Sequence, residues 1–265
     1  MIDANGASAR WWVLVAAAVG FTAAAFLVPW HAASAITGLT WAGPQDLAGS
    51  VGHGLVADWA SAVPAPGGQA SSALTDPTRF WRWFHVVKAL LALAALVSAA
   101  VLVTRAGRAR RASSSAARRF AWATVTAAGS LVTALGVVLL VANVQGAIAP
   151  LSSVLSFLPA SGRSPALVDA VTALDASIGS GHPTSTASAI VSDFAAYHAV
   201  VAVLLALVAV LVGAATVRVA RARRWGSVVA LAATVLIVAV LTAANTGTAL
   251  APTPALQSFL SGVAG

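Results

Sequence analysis

Five long apolar runs constrain the fold of this chain more than any other feature of its sequence. They cover approximately residues 11–30, 80–104, 120–142, 194–217 and 225–243. Each run is close to the roughly 20 residues that an α-helix needs to cross about 30 Å of hydrocarbon. Charged residues make up only 8% of the chain, against about a quarter in soluble domains. The sequence therefore predicts an all-α integral membrane protein, a single polytopic domain over residues 1–265 with five transmembrane helices.

The first run admits a second interpretation, because small residues follow it in the sequence Ala33-Ser34-Ala35. Such a triplet is typical of a cleavage site after a secretory signal peptide. The apolar run is, however, longer than the roughly 7–15 residues of a signal. We therefore expect a retained first span.

The basic residues concentrate in two short segments between apolar runs, 105–119 and 218–224. Clusters of this kind mark cytoplasmic loops under the positive-inside rule. With five spans, Arg10 lies on the same side, so we predict a cytoplasmic N-terminus and an extracytoplasmic C-terminus. The outer segments are then 31–79, 144–193 and 244–265. A composition rich in Ala, Val, Arg and Gly favours a bacterial plasma membrane, whose anionic headgroups would contact the Arg segments.

A spaced pattern of Asn, Pro and Phe occurs twice, each time after a long apolar run. The six residues are Asn143, Pro150, Phe157, Asn245, Pro252 and Phe259. An aromatic-His pair, Phe84-His85 or Tyr197-His198, opens the first span of each apolar hairpin. The pattern predicts a parallel helical-hairpin repeat of spans 2–3 and 4–5, as in transporters with parallel repeats. A duplication without functional content is the alternative, with each Asn acting as a left-handed helix C-cap.

Two of the outer segments carry apolar residues at helical spacing, which predicts amphipathic helices there. The first set is Leu47, Val51, Leu55, Trp59 and Val63, and the second is Leu167, Val171, Leu174 and Ile178. Helix-breaking sequences occur at 64–68 and 179–183. The sequence leaves open whether these helices pack as a cap or lie in the headgroup layer.

The start of the second span carries basic residues at every third position, among Phe and Trp residues. They are Arg79, Arg82, His85 and Lys88. Lys88 lies about two turns inside the span, and an ionisable residue at such depth is a functional candidate. Lys88 or Arg82 is expected to pair with Asp193, near His198 at the start of the fourth span, or to bind an anionic lipid headgroup. A snorkelling Lys within an aromatic belt is the alternative.

Metal, cofactor and nucleic-acid chemistry have little support in the sequence. The chain contains no Cys, which excludes thiolate sites and disulfides. The weak metal candidates are His53, Asp58 and His182. His53 and Asp58 are five residues apart, about 140° around a helix, so they do not share a face as i,i+4 zinc ligands do. We expect no cofactor, no metal and no nucleic acid.

Three functions remain open at this stage. The favoured one is a non-catalytic membrane subunit or scaffold of a bacterial cell-envelope complex, contacting protein partners or a second copy through small-residue helix faces and its outer caps. The first alternative is a transporter or channel component for a small solute or lipid, with a polar path along Lys88, Asp193, Thr126 and Thr242. The second is an envelope enzyme or metal-binding protein that uses the outer His and Asp residues.

Overall fold

The computed structural model describes residues 4–60, 72–158, 164–223 and 225–264, and these ranges contain helices joined by turns, without strands. The helices of the first half are α1 (Ala4–Leu27), α2 (Pro29–Thr37), α3 (Pro44–Ala60), α4 (Ser72–Ala112) and α5 (Ala116–Ile148). Those of the second half are α6 (Pro150–Leu155), α7 (Pro165–Gly179), α8 (Ser185–Arg221), α9 (Trp225–Leu250) and α10 (Pro252–Ala264).

Four of these helices are long and apolar enough to cross a membrane by themselves: α4, α5, α8 and α9. A fifth span exists only if α1 and α2 are counted together, and these two are bent by 57°. The bend follows from Pro29, which has no N–H to donate to the carbonyl of Ala25 and so ends the helix just before it. The described part of the chain is therefore helical and has four or five candidate membrane spans, which indicates a multi-pass membrane protein.

The Arg-rich segments are mostly helical, where the sequence suggested loops. Helix α4 continues to Ala112 and α5 starts at Ala116, so only three residues connect them. Helix α8 likewise continues to Arg221, and Arg224 lies outside the described residues. Arg favours helices almost as much as Leu does, and its charge stabilises the negative end of the helix dipole. The basic segments therefore extend α4 by about two turns, and α5 and α8 by about one turn each, beyond the predicted spans.

The chain divides into two compact units, which are described separately. Unit 1 comprises residues 1–36 and 83–144, and unit 2 comprises 37–82 and 145–265. Unit 1 contains α1, most of α2, the larger part of α4 and most of α5.

Small residues allow the helices of unit 1 to approach closely. A Cβ atom added to Gly129 would lie 2.7 Å from Val103 Cγ2, and one added to Gly136 would lie 3.2 Å from Leu96 Cβ. These contacts join α5 to α4. The indole rings of Trp11 and Trp122, 4.6 Å apart between centroids, join α1 to α5. Unit 1 is thus a close-packed helical bundle of the kind that membranes favour.

Unit 2 contains a helical cap and a long hairpin. The helical cap is formed by α3, α6, α7 and α10, which pack on one another and on α8. The hairpin consists of α8 and α9, packed along their length. Buried cap residues include Leu47, Val51, Leu55, Leu167, Val171, Leu174, Ile178, Leu256 and Leu260. Both predicted amphipathic helices are thus present and bury their apolar faces in a shared core, whereas Val63 and the 64–68 breaker lie outside the described residues.

Side-chain caps and a glycine define the ends of the cap helices. Ser164 Oγ accepts from the backbone N–H of Leu167 at the start of α7, and Thr184 Oγ1 accepts from that of Ala187 at the start of α8. Both are preferred N-cap residues. Between these helices Gly181 has a φ of +75°, which a residue with a Cβ rarely adopts. The predicted 179–183 breaker thus separates α7 from α8.

Candidate functional site

A buried hydrogen bond joins the two long helices of unit 1. The ring Nδ1 of His85 in α4 lies 2.8 Å from the side-chain Oδ1 of Asn143 in α5. The amide Nδ2 of Asn143 donates to the carbonyl of Leu139 at 2.6 Å. Because that carbonyl is only an acceptor, the amide orientation is defined, and His85 Nδ1 must carry the proton that Oδ1 accepts. His85 and Asn143 are 9% and 3% exposed.

Unit 2 contains the same arrangement in its hairpin. His198 Nδ1 in α8 lies 2.9 Å from Asn245 Oδ1 in α9, and Asn245 Nδ2 donates to the carbonyl of Leu241 at 2.8 Å. The preceding aromatic ring contacts the imidazole edge to face in both cases, at 5.4 Å for Phe84–His85 and 5.4 Å for Tyr197–His198. We call these two contacts the His–Asn clamps. They differ in burial, since His198 and Asn245 are both partly exposed.

The expectation that Asn143 and Asn245 end their helices as C-caps is wrong. Helix α5 continues to Ile148 and α9 to Leu250, and neither Asn has a positive φ. Each amide donates to the carbonyl four residues earlier, as a helical side chain can do without breaking the helix. The helix ends later because Pro150 or Pro252 cannot donate a backbone hydrogen bond, and each Pro begins a new helix.

The Phe residues of the two patterns have different environments. Phe157 packs edge to face on Trp81, with 4.8 Å between ring centroids. Trp81 Nε1 also donates to Ser153 Oγ at 3.0 Å. These contacts bind α6 to the first turns of α4, within unit 2. Phe259, by contrast, is exposed on α10. The pattern therefore repeats at the clamps and at the Pro residues, and diverges after them.

The basic residues at the start of α4 have different partners. Arg79 forms an exposed ion pair with Asp76, at 3.4 Å between Nη2 and Oδ1. Arg82 is exposed. Lys88 lies in unit 1, where its Nζ is 5.4 Å from the ring centroid of Phe26 and 5.1 Å from that of Phe84. Two aromatic faces at this range attract the ammonium group electrostatically.

Asp193 anchors α6 to α8. Its Oδ2 accepts a hydrogen bond from the backbone N–H of Ser152 at 2.6 Å, in the first turn of α6. No nitrogen of Arg82 lies within 4 Å of this carboxylate, although the Arg82 charge is close enough to act on it. A carboxylate at a helix N-terminus is stabilised by the N–H groups of the first turn and by the helix dipole. The sequence did not indicate this role for Asp193.

The weak metal candidates do not form a cluster. His53 and Asp58 lie on α3, His53 exposed and Asp58 partly buried, and His182 is exposed in the turn before α8. Within the described ranges, no three His, Asp or Glu residues come together in a way that could hold a metal ion.

Comparison with known proteins adds no assignment to this geometry. The chain matches no protein-family model, no curated protein and no solved structure.

Proposed function

We propose that the chain is a non-catalytic membrane subunit or scaffold of a bacterial cell-envelope complex. The observation that carries this proposal is the broad apolar surface of the α8–α9 hairpin beside the helical cap. Exposed side chains on this surface include Val210 at 68%, Leu211 at 71% and Leu236 at 66%. Such a surface suits lipid or the helices of a partner, whereas the cap has its own buried core.

The polar groups inside the spans support a subunit more than a transporter. Thr126 Oγ1 donates to the carbonyl of Trp122 at 2.7 Å, and Thr242 Oγ1 donates to that of Val238 at 2.8 Å. Each hydroxyl is thus bonded within its own helix and contributes no donor to a polar path. Lys88, another residue of the suggested path, lies between two Phe rings.

We further infer five spans with the N-terminus in the cytoplasm, the C-terminus outside and the Arg-rich helix ends at the cytoplasmic face. The count takes α1 with α2 as the first span. The two His–Asn clamps support the parallel repeat of α4–α5 and α8–α9. Each joins the 14th residue of one helix to a residue five positions before the end of the next helix. A parallel repeat requires both hairpins to have the same orientation in the membrane.

Open small-residue faces are suited to helical partners. Gly20 of α1 and Gly213 of α8 have no described atom within 4 Å of an added Cβ position. Ala16 and Ala24 extend the α1 face at steps of four, a spacing that allows a second helix to approach closely. Gly129, in contrast, is already packed against Val103.

Purification in lipid nanodiscs, with the mass of the particle measured by light scattering, tests the proposal. We expect the wild-type chain to be recovered with a stoichiometric membrane protein or as a defined homo-oligomer. Gly20→Leu should reduce that association at least about tenfold, because a Leu blocks close helix approach without disturbing internal packing. Val13→Leu, a change at another exposed position of α1, is the control. The proposal is contradicted if the wild-type chain is a monomer without a stoichiometric partner. It is also contradicted if the chain transports a solute across proteoliposome membranes.

A further inference from the structure

An apolar groove runs between three helices of unit 1. It consists of two adjoining cavities of about 490 Å³ and about 200 Å³, which share Thr22 and Val132 in their linings. Helices α1, α4 and α5 all contribute side chains. The hydroxyl of Thr22 donates to the carbonyl of Ala18 at 2.7 Å, so its donor is used within α1. The groove is therefore suited to a hydrocarbon ligand.

The α4 side of the groove is a single stripe that begins with a cation. Its apolar residues are Ala92, Ala95, Ala99 and Leu102, and Lys88 continues the same alternation of four and three residues. This spacing places all five residues on one helix face. Phe26, which lines the smaller cavity, is also one of the rings beside Lys88 Nζ. The ammonium group thus lies at one end of the groove.

Lys88 has no anionic partner among the described residues. Its Nζ lies beside the rings of Phe26 and Phe84, and neither a carboxylate nor another acceptor of the described residues lies within hydrogen-bonding distance of it. The ammonium is partly buried and lies about two turns from the start of the predicted apolar run. A cation at such a depth normally pairs with another group or reaches the headgroup layer.

We propose that the groove binds one acyl chain of an anionic phospholipid, whose phosphate pairs with Lys88. The distance along α4 from Ala92 to Leu102 is about 15 Å at 1.5 Å per residue, which matches half of the roughly 30 Å hydrocarbon core. One chain of one leaflet would therefore fill the groove from its headgroup end to the bilayer centre.

The dimensions favour a lipid chain over a partner helix. A helix with its side chains is about 10–12 Å across, so a length of about 15 Å occupies more than about 1,000 Å³. That volume exceeds what the two cavities provide together. The charge at one end favours an anionic amphiphile over a neutral hydrocarbon. The site is independent of the proposed subunit function, because a subunit needs no resident lipid in unit 1.

Native mass spectrometry of the full chain, exchanged into detergent with defined lipids, tests the proposal. The probes are phosphatidylglycerol, phosphatidylcholine of the same chain length, oleate, and glycerol phosphate as a headgroup without chains. We expect phosphatidylglycerol to bind about fivefold more tightly than phosphatidylcholine, the ratio that one Lys beside a net negative headgroup provides. Phosphatidylcholine also carries a phosphate, but its choline ammonium cancels the net charge. Glycerol phosphate should not bind measurably, since it lacks the chain.

Two pairs of variants separate the charge from the groove. Lys88→Met should abolish the preference for phosphatidylglycerol while leaving chain binding intact, and Lys88→Arg should retain the preference. Ala128→Phe, which fills the groove from α5, should weaken binding of both lipids at least about tenfold. Ala127→Phe is the matched control, because Ala127 is also exposed but is not part of the lining.

Several results would overturn the proposal. Equal binding of the two phospholipids by the wild-type chain would remove the role of Lys88. Oleate binding as tightly as phosphatidylglycerol would replace the phospholipid with a fatty acid. If Ala128→Phe left lipid binding unchanged, the lipid would bind outside the groove. If a second copy of the chain occupied the groove instead of lipid, the groove would be a dimer contact.

Discussion

Removing only one side chain of the buried His–Asn clamp should destabilise unit 1, because the other polar group is then buried without its partner. In Asn143→Leu, a side chain of similar size replaces the amide, and His85 Nδ1 loses the oxygen that accepts its proton at 2.8 Å. The second bond, from Nδ2 to the Leu139 carbonyl, matters less because that carbonyl keeps its backbone partner in the helix. The expected loss therefore comes mainly from the imidazole N–H.

The magnitude follows from burial. A buried donor that loses its partner costs about 1–3 kcal/mol, whereas hydrogen bonds between membrane helices average about 0.6 kcal/mol with a maximum near 1.7. Asn143 is only 3% exposed, so we expect Asn143→Leu to lower the free energy of unfolding by about 1–2 kcal/mol. Asn245→Leu should lower it by only about 0.5 kcal/mol, because water can reach the partly exposed His198.

A double-mutant cycle measures the pairing itself. The variants are His85→Phe, Asn143→Leu and the combination, unfolded reversibly in mixed micelles. We expect a coupling energy of about 1 kcal/mol, since the double variant leaves neither polar group behind. Thr126→Val is the control, as it removes an intramembrane hydroxyl bonded only within its own helix, with an expected change within about 0.5 kcal/mol. Single effects that add within about 0.3 kcal/mol would refute the clamp as a stabilising contact.

Two further predictions concern close packing and topology. Gly54→Ala should destabilise the chain by about 1–3 kcal/mol, because the new Cβ would lie 2.8 Å from the carbonyl oxygen of Ala73. Gly49→Ala, in open space on the same helix, should instead stabilise it by about 0.5–1 kcal/mol; equal thermal shifts for the two variants would contradict the close approach. Ser114→Cys introduces the sole thiol of a chain without Cys, and we expect a membrane-impermeant maleimide to label it only after cell lysis; labelling of intact cells would invert the proposed topology.

The His–Asn clamps could be predicted only in part from the sequence. Both His and both Asn residues were recognisable from their repeated positions, yet their pairing was not, because partners 58 and 47 residues apart meet only when two helices pack in register. Local rules instead suggested that each Asn is a helix cap. In the structure, each Asn amide bonds to its own helix and to the neighbouring helix, and the break falls at the following Pro.

Apolar length and helical periodicity are properties of a continuous segment, so the sequence by itself determined the helical class, the membrane-length runs and the buried faces of α3 and α7. The rotation of one helix against another depends on side chains far apart in the chain, such as Gly129 against Val103. Only the tertiary structure therefore decided that His85 meets Asn143, that Asp193 bonds to α6, and that Lys88 ends an apolar groove. Each of these contacts depends on how two helices are aligned, and the sequence of one helix does not determine that alignment.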